Sequence, residues 1–423
     1  MKKICVKETT ALSGMVNVQG SKNTVLPVMA ATLLSSGITV ISNCPDIEDV
    51  HAMCALLECL HVKTELKRNV LTIDTSQAAF EPLPFCLTGK LRSSILLSGA
   101  MLAKWHRAEL GMPGGCAIGR RPIDLHLEGF VRMHADVRLQ QNMLICESFY
   151  LQGCDYHLRF PSVGATENML LAAAGAKGRT VLRGAAVEPE IVELCRYLVS
   201  MGVLIEGIGT DVLVIKGTGS LAPSNYENVY DRIVAGTYLL AAAGIPGRFL
   251  LKGISDTAYM ENSIDVAVRL GVRAEREQDG LLIQSTGVVR SGLFESGIHP
   301  AFPTDLLPVL IPVLLKAEGE SRVRETIFEN RLGIVKELNR LGAGIRVNGQ
   351  TASIPGGVKL SGGSVTATDL RQGAGLVIAG LMMNGTTVVS DIGYIERGYE
   401  DIVRDLQAIG AQVHYDERLD DGK

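Results

Sequence analysis

The chain has 423 residues, 47% hydrophobic and 20% charged. That is enough to bury a large core and too long for one ordinary domain. Its formal net charge of −4 excludes a global attraction to nucleic acid or to anionic membranes, so any anionic ligand must be held by a local basic site. The nine cysteines are scattered, with no CxxC pair or Cys/His cluster at metal-ligand spacing. They argue against a metal or disulfide scaffold and suit a reducing cytoplasm. The N-terminal MKKICVKETT lacks the apolar stretch of a signal peptide. The longest apolar run, Leu306 to Leu315, is broken by Pro308 and Pro312 and is too short to span a bilayer.

The first strand, Ile4 to Val18, precedes the first helix. From there the chain repeats at about 70 residues, a period right for a duplicated supersecondary unit. A helix-to-strand signature recurs at Met201-Gly202-Val203, Leu270-Gly271-Val272, Leu341-Gly342-Ala343 and Ile409-Gly410-Ala411. Forms without the glycine stand at Leu60-His61-Val62 and Met133-His134-Ala135 and read as surface drift. Turn glycines Gly37, Gly178, Gly247, Gly319 and Gly385 keep the same period, each before a β-prone run. Between the markers come an apolar helix, a strand, an amphipathic helix and a strand pair. In the third copy the amphipathic helix starts at Pro189 and has Ile191, Leu194, Cys195, Leu198 and Val199 on its apolar face. The strand pair includes Val212 to Ile215. The first helix of each copy is apolar on nearly every face and must be buried all round. Six such copies predict an α/β fold of two three-repeat domains, an inside-out α/β barrel with helices inside and sheets outside.

Polar residues recur where each apolar helix begins: Lys22-Asn23, Arg92-Ser93, Ser162-Val163-Gly164, Asp231-Arg232, Thr304-Asp305 and Asp369-Leu370-Arg371. Ser162, Thr304 and Asp369 are equally well read as ordinary N-caps. Capping does not account for Lys22, Arg92 or Arg371, because a cation opposes the dipole at a helix N-terminus and calls for an anion nearby. Helix starts and cations aimed at one place suit a substrate with several phosphates or carboxylates. The alternative is a set of solvated repeat ends.

The second copy breaks the pattern with Met112-Pro113-Gly114-Gly115-Cys116-Ala117-Ile118-Gly119-Arg120-Arg121-Pro122-Ile123-Asp124. A glycine-rich stretch bounded by prolines reads as a mobile loop. Two guanidinium groups beside one thiol make Cys116 a usable acid or nucleophile near neutrality. Cys59 and Cys195, on apolar helix faces, read as structural.

At these residues the chain resembles the UDP-N-acetylglucosamine 1-carboxyvinyltransferases, the enolpyruvyl transferases of peptidoglycan synthesis and cell-wall biogenesis. The matching pieces run in order along the chain: Gly20 to Asn23, Pro113 to Cys116, Arg121 to His126, Ser162 to Thr166, Glu188 to Glu190, Pro300 to Asp305, Phe328 to Arg331, Thr368 to Arg371 and Arg397 to Glu400. The resemblance implies transfer of the enolpyruvyl group of phosphoenolpyruvate to the 3-hydroxyl of UDP-N-acetylglucosamine. Phosphate leaves after addition and elimination through a tetrahedral intermediate. It assigns Cys116 as the acid at the methylene carbon and as a site of covalent capture by phosphoenolpyruvate. Asp305 falls at the family's base for the sugar hydroxyl. Lys22, Arg92, Arg121 and Arg397 match its cationic binders, with Arg331, Asp369 and Arg371 adjoining. The nucleotide-sugar contacts fall at Asn23, Arg92, Arg121, Pro122, Ile123, Asp124, Leu125, Ser162, Val163, Gly164, Asp305 and Ile327. No metal, cofactor, nucleic acid or membrane partner is implied, only the two small substrates, in the cytoplasm.

One departure stands out. Phe160 replaces a lysine that many members direct toward the uridine nucleotide, which weakens that contact or passes it to Arg159 or Arg120. By the repeat count and the resemblance, Ser21 to about Val229 form one domain and Met1–Gly20 with about Tyr230–Lys423 the other. Cys116 and Lys22 come from the first, Asp305 and Arg397 from the second, so the site is expected in a cleft that closes on substrate. The rival readings are the sister transfer to shikimate 3-phosphate, whose family lacks a PGGC loop, a non-catalytic nucleotide-sugar sensor, and a protein-binding repeat scaffold.

Overall fold

The computed structural model describes residues 2–114, 119 and 122–416. They form two compact units, one comprising residues 20–114 and 122–229, the other combining the N-terminal residues up to Gln19, Gly119 and the chain from Tyr230 onward. Each unit has its own hydrophobic core.

Six apolar helices carry the cores. We number them α1 (Lys22–Thr32), α2 (Leu96–Trp105), α3 (Val163–Ala174), α4 (Arg232–Gly244), α5 (Leu307–Leu314) and α6 (Leu370–Gly380). All are Ala-, Leu- or Val-rich, and nearly every residue on them is buried. Each fully buried Leu or Val contributes on the order of 1.5–3 kcal/mol. In the 20–229 unit α1, α2 and α3 pack on one another, and in the other unit α5 packs against α4 and α6. The tightest approaches fall on glycines. A Cβ on Gly99 of α2 would lie 2.3 Å from Asn168 Oδ1 of α3, and one on Gly375 of α6 would lie 2.3 Å from the Pro308 carbonyl of α5. In both units a lysine closes the far end of a neighbouring helix: Lys104 Nζ donates to Ser35 O at 2.8 Å, and Lys316 Nζ to Gly244 O at 2.6 Å. Burial lowers the pKa of both ammonium groups.

The described residues form six sheets, three per unit, five of them four-stranded. Five share one plan: a central strand with an antiparallel partner on one side and a parallel strand on the other edge. In the third copy Arg179–Arg183 pairs antiparallel with Val212–Lys216 and parallel with Asp155–His157. The second copy departs from this. Its parallel edge is reduced to a single bridge, Leu83 to Leu110, beside the three strands Arg107–Gly111, Met143–Glu147 and Asp136–Gln140.

The N-terminal segment is two strands, not the single one expected. Lys3–Lys7 sits between Thr386–Ser390 and Val413–Asp416, while Leu12–Asn17 runs parallel to Gly247–Lys252 in another sheet. The chain crosses over at Thr9, whose N–H donates to Leu381 O and whose hydroxyl accepts from Gln412 N. The amphipathic helix Pro189–Ser200 forms as expected, except that Val199 is exposed and Tyr197 is buried in the core.

The histidine variants of the repeat signature are not surface drift. Gly202, Gly271, Gly342 and Gly410 have φ of 110°, 111°, 92° and 83°, and His61 and His134 occupy the same left-handed region at 60° and 67°. In all six turns the next residue's N–H reaches back five positions, from Val62 to Leu57, Ala135 to Phe130, Val203 to Leu198, Val272 to Ala267, Ala343 to Leu338 and Ala411 to Leu406. This is the hydrogen bond that closes a helix through a left-handed C′ residue. A side chain there costs about 1 kcal/mol relative to glycine. His61→Gly and His134→Gly are each expected to raise the urea unfolding free energy by roughly 0.5–1 kcal/mol. Destabilisation by either would show that the imidazole makes a contact that outweighs the backbone strain.

Candidate active site

The predicted site residues divide between the two units. Lys22, Asn23, Arg92, Pro122, Ile123, Asp124, Leu125, Ser162, Val163 and Gly164 belong to the 20–229 unit. Asp305, Ile327, Arg331, Asp369, Arg371 and Arg397 belong to the other. Cys116, Arg120 and Arg121 lie outside the described residues.

In the 20–229 unit Lys22 opens α1. Ser21 caps that helix, its hydroxyl accepting from Thr24 N. The cation expected to call for an anion already has one: Lys22 Nζ lies 2.8 Å from Asp49 Oδ2, and both are largely buried. Asp49 belongs to the first turn of the helix Glu48–Cys59. Lys22 is therefore held in place and half-neutralised. Arg92, at the start of the 3-10 turn before α2, donates to Pro122 O at 3.3 Å. That bond ties a predicted anion binder to the first described residue after the cysteine loop. On the other side of the loop, Gly114 N donates to Thr88 O at 3.1 Å. Ser162 does act as an N-cap, accepting from Ala165 N.

The segment Pro122–Leu125 runs into the helix Asp124–Arg132, anchored from below by His126. His126 is buried, and its Nδ1 lies 3.0 Å from Asn168 Nδ2 on α3. Asn168 Oδ1 in turn accepts from Gly99 N of α2. Arg159 makes ion pairs with Asp124 and with Glu128, the latter at 3.1 Å. Its guanidinium is thus engaged by carboxylates, which counts against Arg159 standing in for the cation missing at Phe160. Phe160 itself is exposed.

The other unit holds the densest charge cluster. Asp305 lies in a 3-10 turn leading into α5. Its Oδ1 accepts from Arg331 at 2.7 Å, and its Oδ2 accepts from Arg371 Nε and a terminal nitrogen at 3.0 and 2.9 Å. The arginine side chains are 4% and 5% exposed, that of Asp305 23%. The carboxylate is therefore the member that faces outward. It accepts three hydrogen bonds from the two arginines. Burial disfavours the charged Arg371, but Asp305 beside it outweighs that and holds it protonated. Asp369 caps α6, its Oδ1 accepting from Arg371 N and Gln372 N, so the helix start that presents Arg371 is itself fixed. Thr304 does not cap: its hydroxyl bonds Glu325 and Arg331 instead.

Arg397 is half-buried and follows the short helix Gly393–Glu396. Gln19, absent from the sequence-based site, clamps the stretch after it. Gln19 Nε2 donates to Gly398 O at 3.1 Å, and Glu400 N donates to Gln19 Oε1 at 2.9 Å. Tyr399 between them is fully buried and bonds Thr237 at 2.7 Å, and burial raises its phenol pKa. Ile327 presents its amide to Glu325. Asp49, Gln19 and Glu325 were all missed from sequence. Of these, only Asp49 had a signal, as an acid in a helix first turn, and that placement is ordinary dipole matching.

Three of the other thiols are poor acids. Burial pushes Cys54 up to about 11 and Cys146 and Cys195 up to about 12. None of the eight described cysteines is in a disulfide, and among the described residues no group of three or more acids, histidines and cysteines could hold a metal. No described helix is long and apolar enough to cross a membrane.

Two measurements check this geometry. Asp305→Ala leaves two buried guanidiniums without their shared partner and is expected to cost about 3–5 kcal/mol in urea unfolding. A loss under about 1 kcal/mol would mean that the arginines rehydrate freely. A neutral-pH thiol reagent should modify exposed Cys86 in the native protein and reach Cys146 and Cys195 only on unfolding. Prompt native labelling of Cys195 would contradict its burial.

The family model of EPSP synthase (3-phosphoshikimate 1-carboxyvinyltransferase) matches residues 6–406. A UDP-N-acetylglucosamine 1-carboxyvinyltransferase 2 of Caldanaerobacter subterraneus is 42% identical over 95% of this chain and 96% of its own length. A UDP-N-acetylglucosamine 1-carboxyvinyltransferase of Halothermothrix orenii is 40% identical over 98% and 99%. Among solved structures, the enolpyruvyl transferase NikO of Streptomyces tendae superposes with a TM-score of 0.88 at 26% identity, covering 98% of each chain. An EPSP synthase of Acinetobacter baumannii shares the fold, with a TM-score of 0.76 at 17% identity. The chain therefore belongs to the EPSP synthase family, and within it to the UDP-N-acetylglucosamine 1-carboxyvinyltransferases.

Proposed function

We propose that this chain transfers the enolpyruvyl group of phosphoenolpyruvate to the 3-hydroxyl of UDP-N-acetylglucosamine and releases phosphate, as a step of peptidoglycan precursor synthesis in the cytoplasm. The observation that carries the reading is Asp305, outward-facing at a helix start and backed by two buried arginines, in a chain about 40% identical over nearly its full length to enzymes of that name.

In the proposed reaction, Asp305 accepts the proton of the 3-hydroxyl as its oxygen attacks C2 of phosphoenolpyruvate. Cys116 delivers a proton to the methylene carbon, which becomes a methyl group. The tetrahedral adduct then loses phosphate from C2 and a proton from that methyl group, giving the enolpyruvyl ether. A carboxylate is a weak base, so what Asp305 supplies is mainly position. Lys22, Arg92, Arg121 and Arg397 hold the phosphate and carboxylate and stabilise the charge that develops. Asn23, Pro122, Ile123, Asp124, Leu125, Ser162, Val163, Gly164 and Ile327 hold the nucleotide sugar, with Arg331, Asp369 and Arg371 supporting Asp305. The same Cys116 is the site at which phosphoenolpyruvate forms a covalent adduct.

We further propose that the chain is six copies of one α/β element arranged as an inside-out barrel in each of two domains, 21–229 and 1–20 with 230–423. The six equivalent left-handed turns and the sheet plan shared by five copies support this. Residues of both domains are needed for turnover.

Phosphate release from phosphoenolpyruvate tests the reaction. Release is expected with UDP-N-acetylglucosamine, not with shikimate 3-phosphate, and Cys116→Ala should lower the rate by about 10²-fold or more. No release with the sugar nucleotide refutes the reading, and undiminished release by Cys116→Ala removes the thiol's role.

A further inference from the structure

Glu325 is fully buried, with 0% exposure, and no part of the reaction above uses it. It follows the strand Ser321–Arg324. Its Oε1 accepts from Ile327 N at 2.6 Å and Phe328 N at 3.0 Å. Its Oε2 accepts from Ser296 Oγ at 3.0 Å and Thr304 Oγ1 at 2.6 Å. Four donors fill the roughly four lone-pair sites of a carboxylate.

The direction of these bonds is fixed. Arg331 has only donors, and its Nε lies 3.1 Å from Thr304 Oγ1. The Thr304 oxygen must therefore accept from Arg331, and its own proton must point to Glu325. A second Arg331 nitrogen donates to Asp305 Oδ1 at 2.7 Å. A chain of hydrogen bonds thus links Asp305 to Glu325, with Arg331 donating to both Asp305 and Thr304 and Thr304 donating to Glu325.

We propose that Glu325 is a positioning residue for Asp305: acting through Thr304, it fixes how Arg331 presents its guanidinium to the reacting carboxylate. This rests on the reading of Asp305 as the acceptor of the sugar hydroxyl's proton. The same carboxylate holds the amide of Ile327, so one buried charge organises both the base and a nucleotide-sugar contact of this unit.

Glu325→Gln keeps the size but reverses one polarity. The two backbone N–H groups require the amide oxygen on their side, which turns the amide nitrogen toward the hydroxyls. The Thr304 proton then loses its acceptor, and Arg331 loses its aim. Thr304→Val cuts the same chain while leaving Glu325's amide contacts in place, and serves if Glu325→Gln fails to fold. Both variants are expected to lower kcat by about tenfold or more while KM for each substrate stays within about threefold. Thr304→Ser, which keeps the hydroxyl, should restore most of the rate. A merely structural Glu325 would instead lower stability and leave the kcat of the folded protein unchanged. Thr304→Val turning over as fast as the parent overturns the proposal. If the parent itself releases no phosphate, the proposed reaction fails, and the positioning claim is decided by the crystal structure of Thr304→Val. Displacement of Arg331 from Asp305 supports the proposal, and an unchanged contact overturns it.

Discussion

The chemistry depends on one electrostatic arrangement, a carboxylate shared by two buried arginines. Two guanidiniums brought out of water would cost several kcal/mol each if unpaired. Asp305 makes their burial tolerable, and their burial leaves Asp305 as the exposed member of the cluster. Everything around it serves that geometry. Asp369 pins the start of α6 and with it Arg371, while Thr304 and Glu325 steer Arg331. The proposed base is weak, but it is held in place.

The other unit uses the same device with different residues. Lys22 opens a core helix and is matched by Asp49, and Arg92 opens another and reaches the Pro122 carbonyl. Helix starts are natural anion sites because their N–H groups are unpaired and their dipoles positive. The chain adds cations there, and Asp49 half-neutralises Lys22. The copy that carries Cys116 is also the copy whose sheet lost its parallel edge strand, keeping one bridge at Leu83 and Leu110. The departure from the repeat in sequence and the departure in the sheet coincide.

Much of this was legible in the sequence. The six helix starts were, because a period of about 70 residues recurs in glycines and apolar runs and every copy must bury the same helix. The two histidine turns were misread, because a left-handed position usually announces itself by glycine, and His61 and His134 take that conformation at a cost. The single N-terminal strand was misread, because nothing in an apolar run shows that its halves join different sheets. Thr304 was read as a possible cap. Its hydroxyl is drawn away by Glu325 and Arg331, partners more than twenty residues distant that no local pattern reveals. Asp49, Gln19 and Glu325 stayed hidden for the same reason: each acts through a contact set by tertiary packing.

The most direct measurement is a crystal structure of the protein with UDP-N-acetylglucosamine and a non-reacting analogue of phosphoenolpyruvate. The account predicts the sugar 3-hydroxyl within about 3 Å of an Asp305 oxygen, with the analogue's anionic groups on Lys22 and Arg397. A 3-hydroxyl held away from Asp305, with the carboxylate still enclosed by its two arginines, would contradict it.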